Sequence, residues 1–290
     1  MKKRPAVSPK YANKKPVRSK SNKLLLIIAV IATIGFGGAF AYFAYDHISY
    51  MMDARAAREN AGLAQDIFAD QIELLSAPSI DRQTPQADME DETGEAEERE
   101  PFNSPVFTAR EEMDNDDIVA YIHIENTNVG NVVVQAEDNA FYLHRDVHRR
   151  HNVNGSLFLD YRNTPDFSDR SSIIYGHNML NGTMFHNLRY FMNADFFNEN
   201  RYIVVITAYE ILTYEIFSAF STRVDFDYIQ TDFEDDDDYM ELVDEIQRRS
   251  VHDLNIPVNA DDRILVLSTC TNTTRDMRFV VVGVLITEDR

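Results

Sequence analysis

The chain contains one cysteine, Cys270, at the end of the run Ile264-Leu265-Val266-Leu267-Ser268-Thr269-Cys270. Arg278 opens the next apolar run eight positions later, and His177 closes a third, Ser172-Ile173-Ile174-Tyr175-Gly176-His177. Runs of this length and Val/Ile content predict strands, so all three residues fall at strand ends. A thiol of pKa about 8.5 is mostly protonated at neutral pH, and its thiolate is the nucleophile. A nearby imidazole can stabilise that anion and later protonate a leaving amine. A guanidinium can hold substrate backbone or the oxyanion formed when a carbonyl is attacked. Cys270, His177 and Arg278 are therefore candidates for nucleophile, acid/base partner and clamp, with Arg275 competing for the third role. Residue types alone leave a second reading open. A lone cysteine also packs well as a small apolar core residue, which would make this a non-catalytic, membrane-tethered adhesion or scaffold domain. A thiol that resists alkylation until the protein is denatured would mark that case.

The elements that must position these residues occupy one part of the chain. Residues 1–23 carry nine Lys or Arg and no acid, whereas the rest has 19 basic against 48 acidic residues. Leu24 to Tyr45 is 22 residues without a charge, about 33 Å as a helix against a hydrocarbon core of roughly 30 Å. A cleaved signal peptide would have a shorter apolar region, about 7–15 residues, ending at a small-residue site. Ala39-Phe40-Ala41 imitates such a site, but the run continues through Tyr42-Phe43-Ala44-Tyr45, aromatics suited to a membrane interface. The reading is an uncleaved single-pass anchor with the basic tail cytoplasmic and everything after Asp46 outside the cell. The acidic remainder argues against nucleic-acid binding by the outer part, because phosphate contacts need a basic surface. One cysteine excludes an intrachain disulfide, so the outer domain is expected to rest on its core alone.

Five segments follow from these shifts: a basic tail 1–23, an anchor 24–45, a helical stalk or flank 46–75, an acidic flexible linker 76–105 and a β-rich domain 106–290. Within the third, Leu63, Ile67, Phe68, Ile72 and Leu75 recur at near-helical spacing. The linker is rich in Pro, Glu, Asp, Gln and Thr and cannot bury enough apolar surface to fold. The last 185 residues suit one domain with a full core. Strands are predicted at Ile118–Ile124, Val129–Gln135, Gly155–Asp160, Ser171–Tyr175, Tyr202–Thr207, Glu210–Thr222, Arg263–Ser268 and Arg278–Thr287. Helical patches are predicted at Phe141–Arg149, Met184–Phe191 and Asp237–Arg249. Eight strands with little β-α-β order suggest a closed or nearly closed β-barrel with inserted helices.

Two further signals are weighed. His144, His148 and His151 would share one face of a continuous helix, and three imidazoles can hold zinc. The helix should end near Asn152-Val153-Asn154-Gly155, however, and Arg145, Arg149 and Arg150 would repel a cation, so a surface or structural role is expected. Glu234 to Asp238 could attract calcium, but acids also favour a helix start, and a solvated first turn is the expectation. Neither HExxH nor GxSxG occurs, which removes two common hydrolase signatures.

Several segments, in order, resemble the class B sortases. They are Val134-Gln135-Ala136-Glu137-Asp138-Asn139 with Tyr142-Leu143-His144, Gly155-Ser156-Leu157-Phe158-Leu159-Asp160-Tyr161-Arg162-Asn163, and Ile173-Ile174-Tyr175-Gly176-His177-Asn178-Met179. Gly182-Thr183-Met184-Phe185 and Leu267-Ser268-Thr269-Cys270 follow, with Arg278-Phe279-Val280-Val281-Val282 after them. The resemblance covers most of residues 115–290. It implies an eight-stranded β-barrel transpeptidase on the outer face of a Gram-positive cell, with Asp237–Arg249 as the extra helix typical of the class. By position it makes Cys270 the nucleophile, His177 the acid/base partner and Arg278 the clamp. It also puts Asn139, Leu143, Tyr175, Tyr228, Ile229 and Ser268 along a peptide groove. Thr271 departs from the acidic residue that some class B members have there. The implied partners are surface proteins bearing a C-terminal sorting motif and an amine of a peptidoglycan precursor, with no metal or organic cofactor. The rival within the family is a pilin polymerase that joins subunits through a lysine amine. Class C enzymes of that kind often carry an Asp-Pro-aromatic lid, and Pro101-Phe102 and Pro105-Val106-Phe107 lack the aspartate.

Overall fold

The structure, a computed structural model, describes residues 20–76, 102–223, 225–254, 256–270 and 277–287. Most of the basic tail and of the expected linker, together with Thr271 and Arg275, lie outside the described residues. The chain divides into two units, Met1–Tyr50 and Met51–Arg290. Helix α1 spans Lys20–Ser76 without a break and is long and apolar enough to cross a membrane, by length and composition. Leu24 to Phe43 in the first unit include only side chains that are exposed, as a membrane-spanning helix would require.

In the second unit the turns of α1 beyond Tyr50 pack on the β domain. Ala54, Ala57, Ala64 and Phe68 are buried, and Leu63, Ile67 and Ile72 lean on the same cluster as Phe68. The Phe68 ring stacks on Tyr121 with centroids 4.3 Å apart. Asp53 accepts from the Val153 amide through its carboxylate and from the Asn152 side chain through its carbonyl. This stretch is therefore a flank of the domain, one of the two options its spacing allowed.

Eight strands close into a barrel in the order β1-β2-β3-β4-β7-β8-β6-β5. They are β1 (Ile118–His123), β2 (Gly130–Val134), β3 (Leu157–Leu159), β4 (Ser171–Gly176), β5 (Tyr202–Thr207), β6 (Ile211–Arg223), β7 (Ile264–Cys270) and β8 (Met277–Leu285). Each coincides with one of the eight expected runs. The pairs β2/β3 and β4/β7 are parallel and the others antiparallel. The strands read as continuous apolar runs because both faces are covered. Alternate residues such as Leu265, Leu267 and Val281 fill the interior with Ile174, Leu157 and Tyr214. Their neighbours Ile264, Val266, Val280 and Val282 lie instead under Tyr239, Leu242, Val243 and Ile246 of helix α4 (Asp236–Arg249). Asp235 caps α4 by accepting from the Asp238 amide, and acids in its first turn and arginines in its last suit the helix dipole.

The helical expectations fared less evenly. Residues Phe141–Arg149 do not form a helix. A single 3-10 turn covers Tyr142–His144, Arg145 is extended, and it bridges to His151. Short acidic side chains redirect the backbone here: Asp138 accepts from the Ala140 and Phe141 amides, and Asp146 from those of His148 and Arg150. The three histidines consequently share no face, and His148 bonds the Met113 carbonyl. The segment Phe185–Met192 is 3-10 helix, close to the expected Met184–Phe191. Two helices were not expected, α2 (Pro105–Met113) and α3 (Ala194–Glu199). Helix α2 starts with Ser104 as N-cap and Pro105 in the first turn, a readable signal that the preceding low-complexity stretch obscured.

Candidate active site

Three neighbouring strands end at one rim. β4 and β7 run parallel with Gly176 opposite Thr269, so His177 and Cys270 are each the next residue along. β8 runs antiparallel to β7, and Arg278 is the register partner of Cys270. With strands about 4.8 Å apart, the three backbones fall within two strand spacings. The Cys270 backbone ends β7; its side chain is outside the described part of the structure. Arg278 is half-buried and donates from Nη1 to the Met277 carbonyl at 2.9 Å. Gly176 is needed where it stands, because a Cβ there would meet Leu157 Cδ2 at 2.4 Å and the Phe185 ring at 2.8 Å. The absence of a side chain lets β4 pass close to the Phe185 turn just before His177.

The ring of His177 is half-buried, and its Nε2 lies 2.7 Å from the Leu143 carbonyl. A carbonyl only accepts, so Nε2 carries the hydrogen and Nδ1 is left as the nitrogen that takes and gives a proton. The ring of His144 stacks on His177, with centroids 5.6 Å apart and planes 17° from parallel. Burial holds the His177 imidazolium below its ordinary pKa; the Leu143 carbonyl opposes this and His144 adds to it. The imidazolium is thus a readily given acid.

Beside the rim the polar side chains form a linked set. The Asp160 side chain is 0 % exposed and accepts from Arg162 Nε at 2.9 Å, Arg162 Nη2 at 2.8 Å and the Arg162 amide at 3.0 Å. It also accepts from the Tyr175 hydroxyl at 2.9 Å and from Asn139 Nδ2 at 3.0 Å. Burial would raise its pKa, but these donors outweigh burial and hold the carboxyl below the usual range. Burial and the Asp160 charge push the Tyr175 phenol up, so it remains a neutral donor. Arg162 donates again from Nη2 to the Ile229 carbonyl at 2.9 Å. Tyr175 is the register partner of Ser268, whose hydroxyl is 2.8 Å from that of Tyr228. Leu143 packs with the cluster under α1 and α2, Ile229 with the cluster under α4, and Tyr175 with both.

A sequence model described as "Sortase domain" matches residues 122–286. Sortase B of Listeria monocytogenes is 38% identical over 60% of this chain and 72% of its own length. Sortase B of Staphylococcus aureus is 36% identical over 63% of this chain and 75% of its own length. The structure titled "Staphylococcus aureus sortase B-substrate complex" superposes with a TM-score of 0.65 at 28% identity, covering 82% of this chain and 99% of that one. The chain belongs to the sortase family. Its relatives and its closed barrel put it in class B, and sortases are cysteine transpeptidases that act on surface proteins bearing sorting motifs.

As a class B sortase the chain brings Cys270, His177 and Arg278 to one rim, and ties Asn139, Leu143, Tyr175, Tyr228, Ile229 and Ser268 together beside it. Arg275, the competitor for the role of Arg278, is outside the described residues. Asp160 and Arg162, which link Asn139, Tyr175 and Ile229, had no role assigned from sequence. The signal was a charged residue ending the apolar run Leu157-Phe158-Leu159, followed by Arg at the second position. The acids of Glu234–Asp238 are engaged locally: Asp236 pairs with Arg170, and Asp238 accepts from the Glu234 amide and Gln230. Among the described residues no group of three or more His, Cys, Asp or Glu could hold a metal ion.

Proposed function

We propose that this protein is a membrane-anchored transpeptidase that cuts a C-terminal sorting motif after threonine and transfers the acyl group to an amine of a peptidoglycan precursor. The reading rests on one observation, the register that pairs Cys270 with Arg278 and sets His177 beside them. The Cys270 thiolate attacks the threonine carbonyl, and the guanidinium of Arg278 stabilises the oxyanion. As the intermediate collapses, the C–N bond breaks, the leaving amine takes the proton from His177 Nδ1, and a thioester remains. An incoming amine attacks the thioester and gives a proton to the now neutral imidazole. The C–S bond breaks, and thiolate and imidazolium are restored. His177 must be charged for the first half-reaction and neutral for the second, which a lowered pKa near working pH serves.

The groove residues Asn139, Leu143, Tyr175, Tyr228, Ile229 and Ser268 bind the peptide in this reading. Asn139 and Tyr175 contribute polar groups, and Leu143 and Ile229 apolar walls. Lys-rich residues 1–23 stay cytoplasmic, the apolar part of α1 spans the membrane of a Gram-positive cell, and the barrel works outside. Mixing the protein with sorting-motif peptides and an amine tests the whole scheme. Cleavage that disappears in Cys270→Ala is expected, and full activity of that variant would sink it.

A further inference from the structure

The residues assigned to the groove come from four places in the chain, and the barrel ladder orders only two of them. Tyr175 and Ser268 are register partners on β4 and β7. Asn139 sits in the connection after β2, and Ile229 in the connection between β6 and α4. One ion pair reaches both connections. Asp160 accepts from Asn139 Nδ2 and from Tyr175, while the Tyr161 amide donates to Asn139 Oδ1. Both ends of the Asn139 amide are therefore held, leaving one N–H and one lone pair for another partner. Arg162 grips Asp160 through two nitrogens and reaches the Ile229 carbonyl, 67 positions away in sequence, with one of them.

We propose that Asp160 and Arg162 are positioning residues for the sorting peptide: Asp160 presents Asn139 and Tyr175, and Arg162 latches the β6–α4 connection as the opposite wall. This rests on the transpeptidase reading above and adds to it the element that sets peptide affinity. Neither residue needs to touch the reacting atoms, which lie at the rim on β4, β7 and β8. The bidentate geometry explains why arginine is present: a lysine could neutralise Asp160 but could not hold both it and the Ile229 carbonyl in one plane. Tyr228 follows from the same latch. It precedes Ile229 and bonds Ser268, so release of Ile229 would also loosen a contact to β7.

The test uses the whole protein with Arg162→Gln and Arg162→Lys. In both, amide hydrogen exchange over residues 225–231 is expected to speed up, because the carbonyl latch is lost. Against the best-cleaved member of a fluorogenic peptide pool with Thr fixed at the cut position, KM should rise on the order of tenfold for Arg162→Gln. Its kcat and the rate of Cys270 alkylation by iodoacetamide should stay within about twofold of wild type, because the rim is untouched. Arg162→Lys should fall between the two, since it keeps a charge beside Asp160 and preserves folding. Unchanged exchange in the connection, or an unchanged KM while wild type cleaves normally, would overturn the proposal. Wild type cleaving no peptide would overturn the transpeptidase reading itself, and the exchange arm would still judge the latch.

Discussion

The rim and the proposed peptide groove beside it are built by different means. At the rim, backbone pairing brings the three residues side by side: Cys270 and Arg278 are partners on β7 and β8, and His177 follows the residue opposite Thr269. In the groove, side chains from distant connections are drawn to one buried carboxylate, Asp160, and one guanidinium, Arg162. A ladder of strands buried on both faces is costly to shift, because a one-residue slip would move every side chain to the wrong face. A connection held by a few polar bonds can change without disturbing the core.

The comparison can be broken at the rim first. Replacing His177 with Ala is expected to lower kcat/KM for peptide cleavage by about 10²–10⁴-fold, measured in steady state, with no change in far-UV circular dichroism. Arg278→Lys should cost about 10²–10³-fold, mostly in kcat, because a lysine supplies charge without the planar fork aimed at an oxyanion. Gly176→Val tests whether backbone closeness, more than side-chain bonding, governs the rim. The added side chain meets Leu157 and Phe185, and a destabilisation of about 1–3 kcal/mol by chemical denaturation is expected, accompanied by loss of activity.

A smaller effect sharpens the account of His177. Peptide cleavage requires thiolate and imidazolium together, so the pH profile should be a bell. Burial and the His144 ring hold His177 below its ordinary value, so the acid limb should lie below about 6.5. With a thiol at its ordinary value of about 8.5, the lower of the two ionisations is that of His177, so the acid limb follows His177 and the alkaline limb follows the thiol. His144→Gln removes a repelling ring while leaving the burial and the Leu143 bond in place. The acid limb should then move to higher pH, and an immobile limb would show that the stacked pair has no electrical influence on the rim.

The difference between rim and groove also explains which features were legible in the sequence. Runs such as Ile264–Leu267 and Phe279–Val282 are apolar at every position because α4 covers what the interior does not, and that pattern is visible without a fold. The residues proposed for catalysis sit at or beside the ends of such runs and were visible with them. Helix α4 was equally plain, with acids in its first turn, arginines in its last and a buried stripe between. By contrast, Phe141–Arg149 has helical composition but is turned by Asp138 and Asp146 side chains bonding nearby amides. Local composition does not reveal that competition. The link from Asp160 and Arg162 to Ile229 spans too much sequence for any spacing rule, so only the folded barrel brings these residues together. The continuity of α1 from Lys20 to Ser76 was hidden for a simpler reason: its composition changes abruptly near Asp46 from apolar to mixed, although no proline interrupts it.

The central claim is that the sole thiol of this chain, paired with Arg278 on the neighbouring strand and adjoining His177, forms the acyl intermediate. Intact-mass and peptide-mapping spectrometry of the protein mixed with a sorting-motif peptide pool, without an amine acceptor, tests it directly. The account predicts an adduct on Cys270 equal to a peptide ending in threonine, released on adding hydroxylamine and absent from His177→Ala. Peptide cleavage without any Cys270 adduct, or an adduct of the same mass on another residue, would contradict it.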